Sequence, residues 1–294
     1  MSATVASLRA LRVHQWVKNL LVLAPVVSSH QLARTEVLEK AGIMLLAFCL
    51  CASGAYLVND LADVDSDRQH PVKKSRPFAS AALPPAFGYV MGPLLMLGGI
   101  ALGLLLPREA LSVLIAYCAI TLIYSLWLKT KALMDVFVLA ALYTLRVVGG
   151  GVACGIELSS WLLSFSMFTF LSLGFCKRAA ELHNLAGRGE DAAQGRGYRS
   201  TDLPQINAFG VASGFLATLV LTLYMNSDQI RVLYARPWLV WLLFPLMLYW
   251  ITRMWILCWR GEMNEDPVWF AVRDPATWLI VAASGVVLYA AALK

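Results

Sequence analysis

The sequence predicts an all-α polytopic membrane protein, a bundle of nine transmembrane helices. Three observations carry that prediction. Of the 294 residues, 59% are hydrophobic and only 14% charged, where a water-soluble domain carries about a quarter charged. Apolar runs close to the roughly 20 residues needed to cross a bilayer recur along the whole chain. The Lys and Arg residues between those runs fall mostly in alternate loops, as their retention on the cytoplasmic side requires.

The runs lie at about 17–30, 39–58, 86–106, 110–127, 132–153, 159–176, 205–225, 237–258 and 276–293. The first is short and contains Pro25. It reads as a retained helix and not as a cleaved leader, because Arg9, Arg12 and Lys18 are followed by Pro25, Ser28 and Ser29 in place of a clean small-residue cleavage site. Prolines and glycines in other runs are tolerated where neighbouring helices satisfy the freed backbone groups. With the N-terminus inside, the inner segments hold 16 basic residues and the outer ones 6, while Arg146 and Arg253 fall within or at the end of spans. The chain is therefore expected to thread the membrane as one domain, residues 1–294, with its N-terminus and working face toward the cytoplasm. The two long inner loops, 60–85 and 177–204, are four helices apart, a spacing that suggests two four-helix halves and a ninth span.

The net charge of +6 largely reflects this inside bias, so it points to anionic lipids or phosphorylated substrates and not to nucleic acid. All six cysteines lie in apolar runs without metal-ligand spacing and read as reduced core residues.

The most informative stretch is Asn59-Asp60-Leu61-Ala62-Asp63-Val64-Asp65-Ser66-Asp67-Arg68, at the inner end of the second span. On a continuing helix Asp60, Asp63 and Asp67 share one face. Three anions stacked this way repel one another unless a cation lies between them, and Mg2+ is suited to carboxylate and phosphate oxygens together. These three aspartates are the candidate catalytic and metal-binding residues. The alternative is a solvated acidic loop balanced by nearby basic residues. Next comes His70-Pro71-Val72-Lys73-Lys74-Ser75-Arg76-Pro77, in which Lys73 and Arg76 are placed to grip an anionic group held by metal on its other side. Positive-inside topology explains part of that charge.

Other groups are expected at the same membrane level: Arg12, Gln15, Lys18 and Asn19 near the first span, Tyr124 and Lys129 after the fourth, and Lys177, Arg178 and Glu181 after the sixth. Lys177 and Glu181, four residues apart, are also spaced to pair on a helix surface. Arg146 stands inside an apolar span, where a guanidinium needs an anionic partner, either substrate or a network with Asp135.

These residues resemble the UbiA superfamily of intramembrane prenyltransferases, nine-helix proteins with an Asn-Asp-x-x-Asp-x-x-x-Asp metal motif after the second helix. Asn59, Asp60, Asp63 and Asp67 match it in full, and the resemblance covers nearly the whole chain. Within the superfamily the chain looks like the branch that includes decaprenyl-phosphate phosphoribosyltransferase. The features are Arg12-x-x-Gln15-Trp16-x-Lys18-Asn19, His70-Pro71-x-Lys73-x-x-Arg76-Pro77, Tyr124-Ser125-x-x-Leu128-Lys129, Lys177-Arg178-x-x-Glu181-Leu182 and Arg196-Gly197-Tyr198. Typical aromatic prenyltransferases carry a second Asp pair after the sixth helix, where this chain has Lys177, Arg178 and Glu181. One departure from the branch is Ala79-Ser80-Ala81, where a Ser-Gly pair is usual.

The resemblance implies Mg2+ as cofactor, with phosphoribosyl pyrophosphate (PRPP) and a polyprenyl phosphate as substrates. It implies that Lys18, Asn59, Lys73, Arg76, Tyr124, Lys129, Arg146, Lys177 and Arg178 contact substrate phosphate, with Gln15, Asn19 and Glu181 in support. The rival enzymatic reading moves a prenyl group from a prenyl diphosphate to an aromatic acceptor. A transporter of lipids or sugar phosphates is the rival from another class. A homo-oligomer is compatible with the sequence.

Overall fold

The computed structural model describes residues 3–69, 72–187, 197–263 and 266–293, all-helical apart from turns and loops. Eight helices among them are long and apolar enough to cross a membrane. The residues cluster into two compact units, one comprising Met1–Val138 with Leu142–Leu158 and the other Leu139–Ala141 with Ser159–Lys294.

The first unit begins with α1 (Ala3–Ala10). The expected first crossing, at 17–30, is not one of the eight. It is a 3-10 helix, Val13–Leu23, running into the short α2 (Ala24–Ser28). Pro25 stands in the first turn of α2, where its ring is accommodated, and so marks the junction between the two segments. Four long helices follow, α3 (Thr35–Ala62), α5 (Pro85–Gly103), α6 (Arg108–Leu126) and α7 (Met134–Cys154), with the short α4 (Val64–Gln69) between α3 and α5.

In this unit α3 packs against α5, α6 and the 3-10 segment. A Cβ added at Gly54 would lie 2.5 Å from the Gly92 carbonyl oxygen, so α3 and α5 touch backbone to backbone. Small residues at such a crossing replace the hydrophobic drive that lipid does not supply. A Cβ at Gly150 would collide with the Val22 carbonyl, so the 3-10 segment is seated directly on α7. The core gathers Val22, Met44, Phe48, Leu114, Tyr117 and Leu142. Phe48 and Tyr117 meet edge to face at 4.9 Å, a contact worth about 0.5–1.5 kcal/mol beyond area burial.

The second unit also holds four spans. They are α8 (Ser160–Ala186), α9 (Leu203–Met225) with its leading 3-10 turn, α11 (Pro237–Val240) running into α12 (Leu243–Trp259), and α14 (Pro275–Ala292). Short helices α10 (Asp228–Leu233) and α13 (Pro267–Arg273) join them. Ser159 caps α8 by accepting from the Leu162 N–H, and Asp266 and Asp274 cap α13 and α14; such caps satisfy N–H groups that a helix start leaves orphaned. Gly210 lies under the Trp255 ring, while Trp255 Nε1 donates to Ser172 Oγ and that hydroxyl donates to the Gly210 carbonyl. All six cysteines are free.

Candidate active site

The helix carrying the acidic motif does not continue through it. α3 ends at Ala62, Asp63 closes it with its N–H on the Asn59 carbonyl, and α4 begins at Val64. Electrostatics favours this break: acidic side chains are unfavourable at the negative end of a long helix and favourable in the first turn of a new one, where Asp65 and Asp67 now stand. The expected single acidic face is thereby divided. Asp60 and Asp67, both almost fully buried, converge on Arg76, whose Nη1 lies 3.2 Å from Asp60 Oδ1 and 2.7 Å from Asp67 Oδ2. Asp63 turns instead to Lys129 Nζ at 2.5 Å and accepts from Asn59 Nδ2 at 3.1 Å. Asn59 Oδ1 accepts from the same ammonium at 3.0 Å.

Arg12 completes the group. Its Nη2 is 2.6 Å from Asp60 Oδ1, and its guanidinium lies 4.9 Å over the Tyr56 ring. The residue sits in the left-handed region at φ 50°, at the start of the 3-10 helix. The sequence places Arg12 only near this membrane level; its direct contact with Asp60 depends on folding. Lys73 lies in a 3-10 turn, Lys73–Ser75, that leads to Arg76. Lys73, Gln15 and Tyr124 are half-buried. His70, Pro71 and Arg196 lie outside the described residues.

The carboxyl of Asp67 is raised above its ordinary range by burial; Arg76 opposes the rise, and Asp60 and Asp63 add to it. The three acids therefore feel one another. Among the described residues no three acidic, His or Cys side chains converge on one point as they stand, because basic side chains hold them. Carboxylate and amide oxygens are nonetheless the donors a hard cation such as Mg2+ takes, so the donor set fits that ion once a guanidinium gives way.

Arg146 is buried deeper in the same unit. Nε donates to Asn19 Oδ1 at 2.8 Å, Nη1 to the Leu142 carbonyl at 2.6 Å and Nη2 to the Tyr117 hydroxyl at 2.8 Å. The rings of Tyr117, Tyr143 and Phe48 lie 4.8, 5.4 and 5.9 Å from its guanidinium carbon. Its hydrogen bonds go to neutral acceptors and its faces to aromatic rings, so of the two anionic partners considered, substrate or Asp135, the pairing with Asp135 is not formed. Lys18, also buried, lies 5.8 Å from the Tyr143 ring.

In the second unit the expected Lys177–Glu181 pairing is replaced by two others. Lys177 Nζ is 3.5 Å from Asp266 Oδ2, and Arg178 pairs with Glu181 one turn on. Arg178 is among the largest fully buried side chains, whereas Lys177 is part exposed. Asp266 carried no sequence signal beyond its place before Pro267. Arg253 and Asp274 form a two-pronged ion pair, at 2.6 and 2.9 Å. Asp274 also accepts from the Thr277 N–H and hydroxyl.

Comparison with known proteins places this architecture. The model of the UbiA prenyltransferase family matches residues 22–281. The chain is 33% identical over 275 residues to nodulation protein NoeC of Azorhizobium caulinodans, covering 92% of this chain and 88% of that one. It is 38% identical over 179 residues to decaprenyl-phosphate phosphoribosyltransferase of Mycobacterium tuberculosis, covering 60% of this chain and 59% of that one. The chain thus spans little more than half the length of some curated relatives it matches, 54% and 59% in two cases. A solved UbiA homolog from Archaeoglobus fulgidus, bound to GPP and Mg2+, shares the fold with a TM-score of 0.71 at 14% identity, over 97% of this chain and 99% of that one. A family match across most of the chain, on a bundle of that fold whose α3 ends in the acidic motif, makes this protein a multi-pass membrane member of the UbiA prenyltransferase family.

Proposed function

We propose that the protein transfers the 5-phosphoribosyl group of PRPP to a polyprenyl phosphate, giving polyprenyl-phosphoryl-5-phosphoribose and pyrophosphate, at the cytoplasmic face of a bacterial inner membrane. The observation that carries this reading is the basic pair Lys177 and Arg178 near the end of α8, where the resembled aromatic prenyltransferases carry a second pair of aspartates. Two acidic motifs suit one diphosphate bridged by metal ions; an acidic motif together with a basic one suits substrates that bring several separate phosphates. The identity to a decaprenyl-phosphate phosphoribosyltransferase supports the same choice.

Asp60 and Asp67, with Asp63 beside them, would hold Mg2+, which when bound supplies positive charge to the departing pyrophosphate. Arg76, Arg12 and Lys129 supply donors to phosphate oxygens from the same cluster, and Asn59 orients the Lys129 ammonium through its carbonyl oxygen. Lys73, Tyr124 and Lys18 are assigned to substrate phosphate, with Gln15 and Asn19 in support. Lys177 and Arg178 are assigned to substrate phosphate in the second unit, with Glu181 orienting Arg178. A phosphate oxygen of the lipid attacks the anomeric carbon of ribose as the bond from that carbon to the pyrophosphate oxygen breaks, and the electron pair leaves with pyrophosphate. The nucleophile is already an anion, so no side chain has to remove a proton.

The second reading, transfer of a prenyl group from a prenyl diphosphate to an aromatic acceptor, draws on the family match and the intact first motif. The test is mass spectrometry of lipid products after the purified protein is given Mg2+ and polyprenyl phosphate with PRPP, and in parallel a prenyl diphosphate with an aromatic acceptor. A phosphoribosylated lipid in the first arm is expected. A prenylated aromatic in the second arm with none in the first would replace the proposal.

A further inference from the structure

The acidic cluster is balanced by basic side chains of the same unit. Asp60, Asp63 and Asp67 bring three negative charges, and Arg12, Arg76 and Lys129 bring three positive ones. The balance is also local. One oxygen, Asp60 Oδ1, accepts from both Arg12 at 2.6 Å and Arg76 at 3.2 Å, and Arg76 reaches on to Asp67 at 2.7 Å. Both carboxylates are nearly inaccessible to water, while both guanidinium groups keep an exposed edge.

A divalent cation arriving alone must displace guanidinium from buried carboxylates, leaving Arg12 and Arg76 uncompensated. An anion arriving alone draws the guanidinium groups away and leaves Asp60 and Asp67 bare. Either event breaks a buried ion pair by removing one partner, which is strongly unfavourable. When cation and diphosphate arrive together, every charge finds a new partner: carboxylates go to the metal and guanidinium groups to the phosphate.

We propose that Arg12 and Arg76 are exchange partners that occupy Asp60 and Asp67 in place of the metal and pass to the phosphate when metal and diphosphate enter together, so that neither ligand binds well without the other. The inference rests on the reading of Asp60 and Asp67 as metal ligands and is indifferent to which diphosphate is the donor. Such coupling is reciprocal by thermodynamic necessity. It protects the site from holding a bare metal or a lone phosphate at the membrane surface.

The test uses the full chain in detergent, with Mn2+ as a paramagnetic stand-in and labelled inorganic pyrophosphate. Equilibrium dialysis cancels the free complex on both sides of the membrane, so the excess on the protein side is what the protein binds. Wild type is expected to retain pyrophosphate at least about tenfold more tightly with Mn2+ than without, the scale of an ordinary coupling between sites. Arg76→Gln is expected to bind Mn2+ alone more tightly than wild type, because the competing cation is gone, and to lose most of the coupling. Arg12→Gln should shift in the same direction and serves if the first variant does not fold; Arg76→Lys, which keeps the charge, should stay near wild type. Weaker Mn2+ binding in both Gln variants would mean the guanidinium groups merely hold the carboxylates in place and would overturn the exchange. Mn2+ that binds equally with and without pyrophosphate would overturn it while leaving the metal site standing. Absence of Mn2+ binding under every condition would remove the metal reading and the exchange together.

Discussion

Arg76 Nη1 bridges two buried carboxylates seven residues apart, 2.7 Å from Asp67 and 3.2 Å from Asp60, across the helix break at Asp63. This geometry predicts that Asp60→Asn and Asp67→Asn each lower turnover by roughly a hundredfold or more, since stabilisation of a departing pyrophosphate by metal is worth several kcal/mol. Circular dichroism should show the helices intact. EDTA should abolish product formation and excess Mg2+ restore it; undiminished rates in chelator would end the metal assignment.

Ala81 adopts φ 58°, in the left-handed region, at the position where the resembled branch carries glycine. An L-residue with a Cβ costs about 1–2 kcal/mol there, and no hydrogen bond of the Ala81 side chain offsets it. Ala81→Gly is therefore expected to stabilise the protein by about 1 kcal/mol, less what is lost to greater freedom of the unfolded chain. Thermal unfolding in detergent reads the change. A lower Tm would show that the turn is not strained.

The neutral surroundings of Arg146 predict a structural role that separates from substrate binding. Arg146→Lys keeps the charge, but one ammonium cannot serve Asn19, the Leu142 carbonyl and Tyr117 together. Losing one charge-assisted hydrogen bond costs roughly 1.5–3 kcal/mol. The expected result is a marked fall in Tm with little change in KM for the phosphorylated donor. A large rise in KM at unchanged Tm would instead make Arg146 a phosphate ligand.

Lys177 and Arg178 call for different variants, because Arg178 is fully buried and Lys177 is part exposed. Arg178→Ala would unsettle the fold whatever its role. Lys177→Gln removes only a half-exposed pairing with Asp266, worth up to about 1 kcal/mol as a partly screened contact. If Lys177 grips substrate phosphate, KM for PRPP should rise by one to two decades, the equivalent of roughly 1.5–3 kcal/mol. Unchanged PRPP kinetics would assign Lys177 to its pairing with Asp266 and not to substrate phosphate.

The Arg253–Asp274 pair predicts an acid-sensitive step in stability. Burial raises the Asp274 carboxyl, but the hydrogen bonds and charge from Arg253 and Thr277 outweigh it, so the net position is below the ordinary value of 3.8. A carboxyl lowered on folding stabilises the native state above its unfolded value, and that contribution is lost as pH falls below about 4 toward the folded value. Tm of wild type should decline through that window, and Asp274→Asn should be less stable near neutrality with a shallower acid slope. Parallel slopes in the two proteins would assign the acid sensitivity elsewhere.

The sequence by itself determined the helical membrane architecture and the location of the acidic motif, because hydropathy and charge pattern are properties of neighbouring residues. The spacing of the long inner loops suggested two four-helix halves and a ninth span; each unit contains four long helices, and the ninth is not among the eight long apolar helices of the described residues. Only tertiary structure decided which cation meets which carboxylate. Arg12 reaches Asp60 across 48 positions and Lys129 reaches Asp63 across 66, while Lys177 finds Asp266 in place of the helix neighbour Glu181. The same holds for the break at Asp63, which splits an acidic face that spacing alone left continuous, and for the short first segment seated on Gly150. Ion pairs and close backbone contacts depend on distances between elements remote in the chain, and a local pattern lists the available partners without choosing among them.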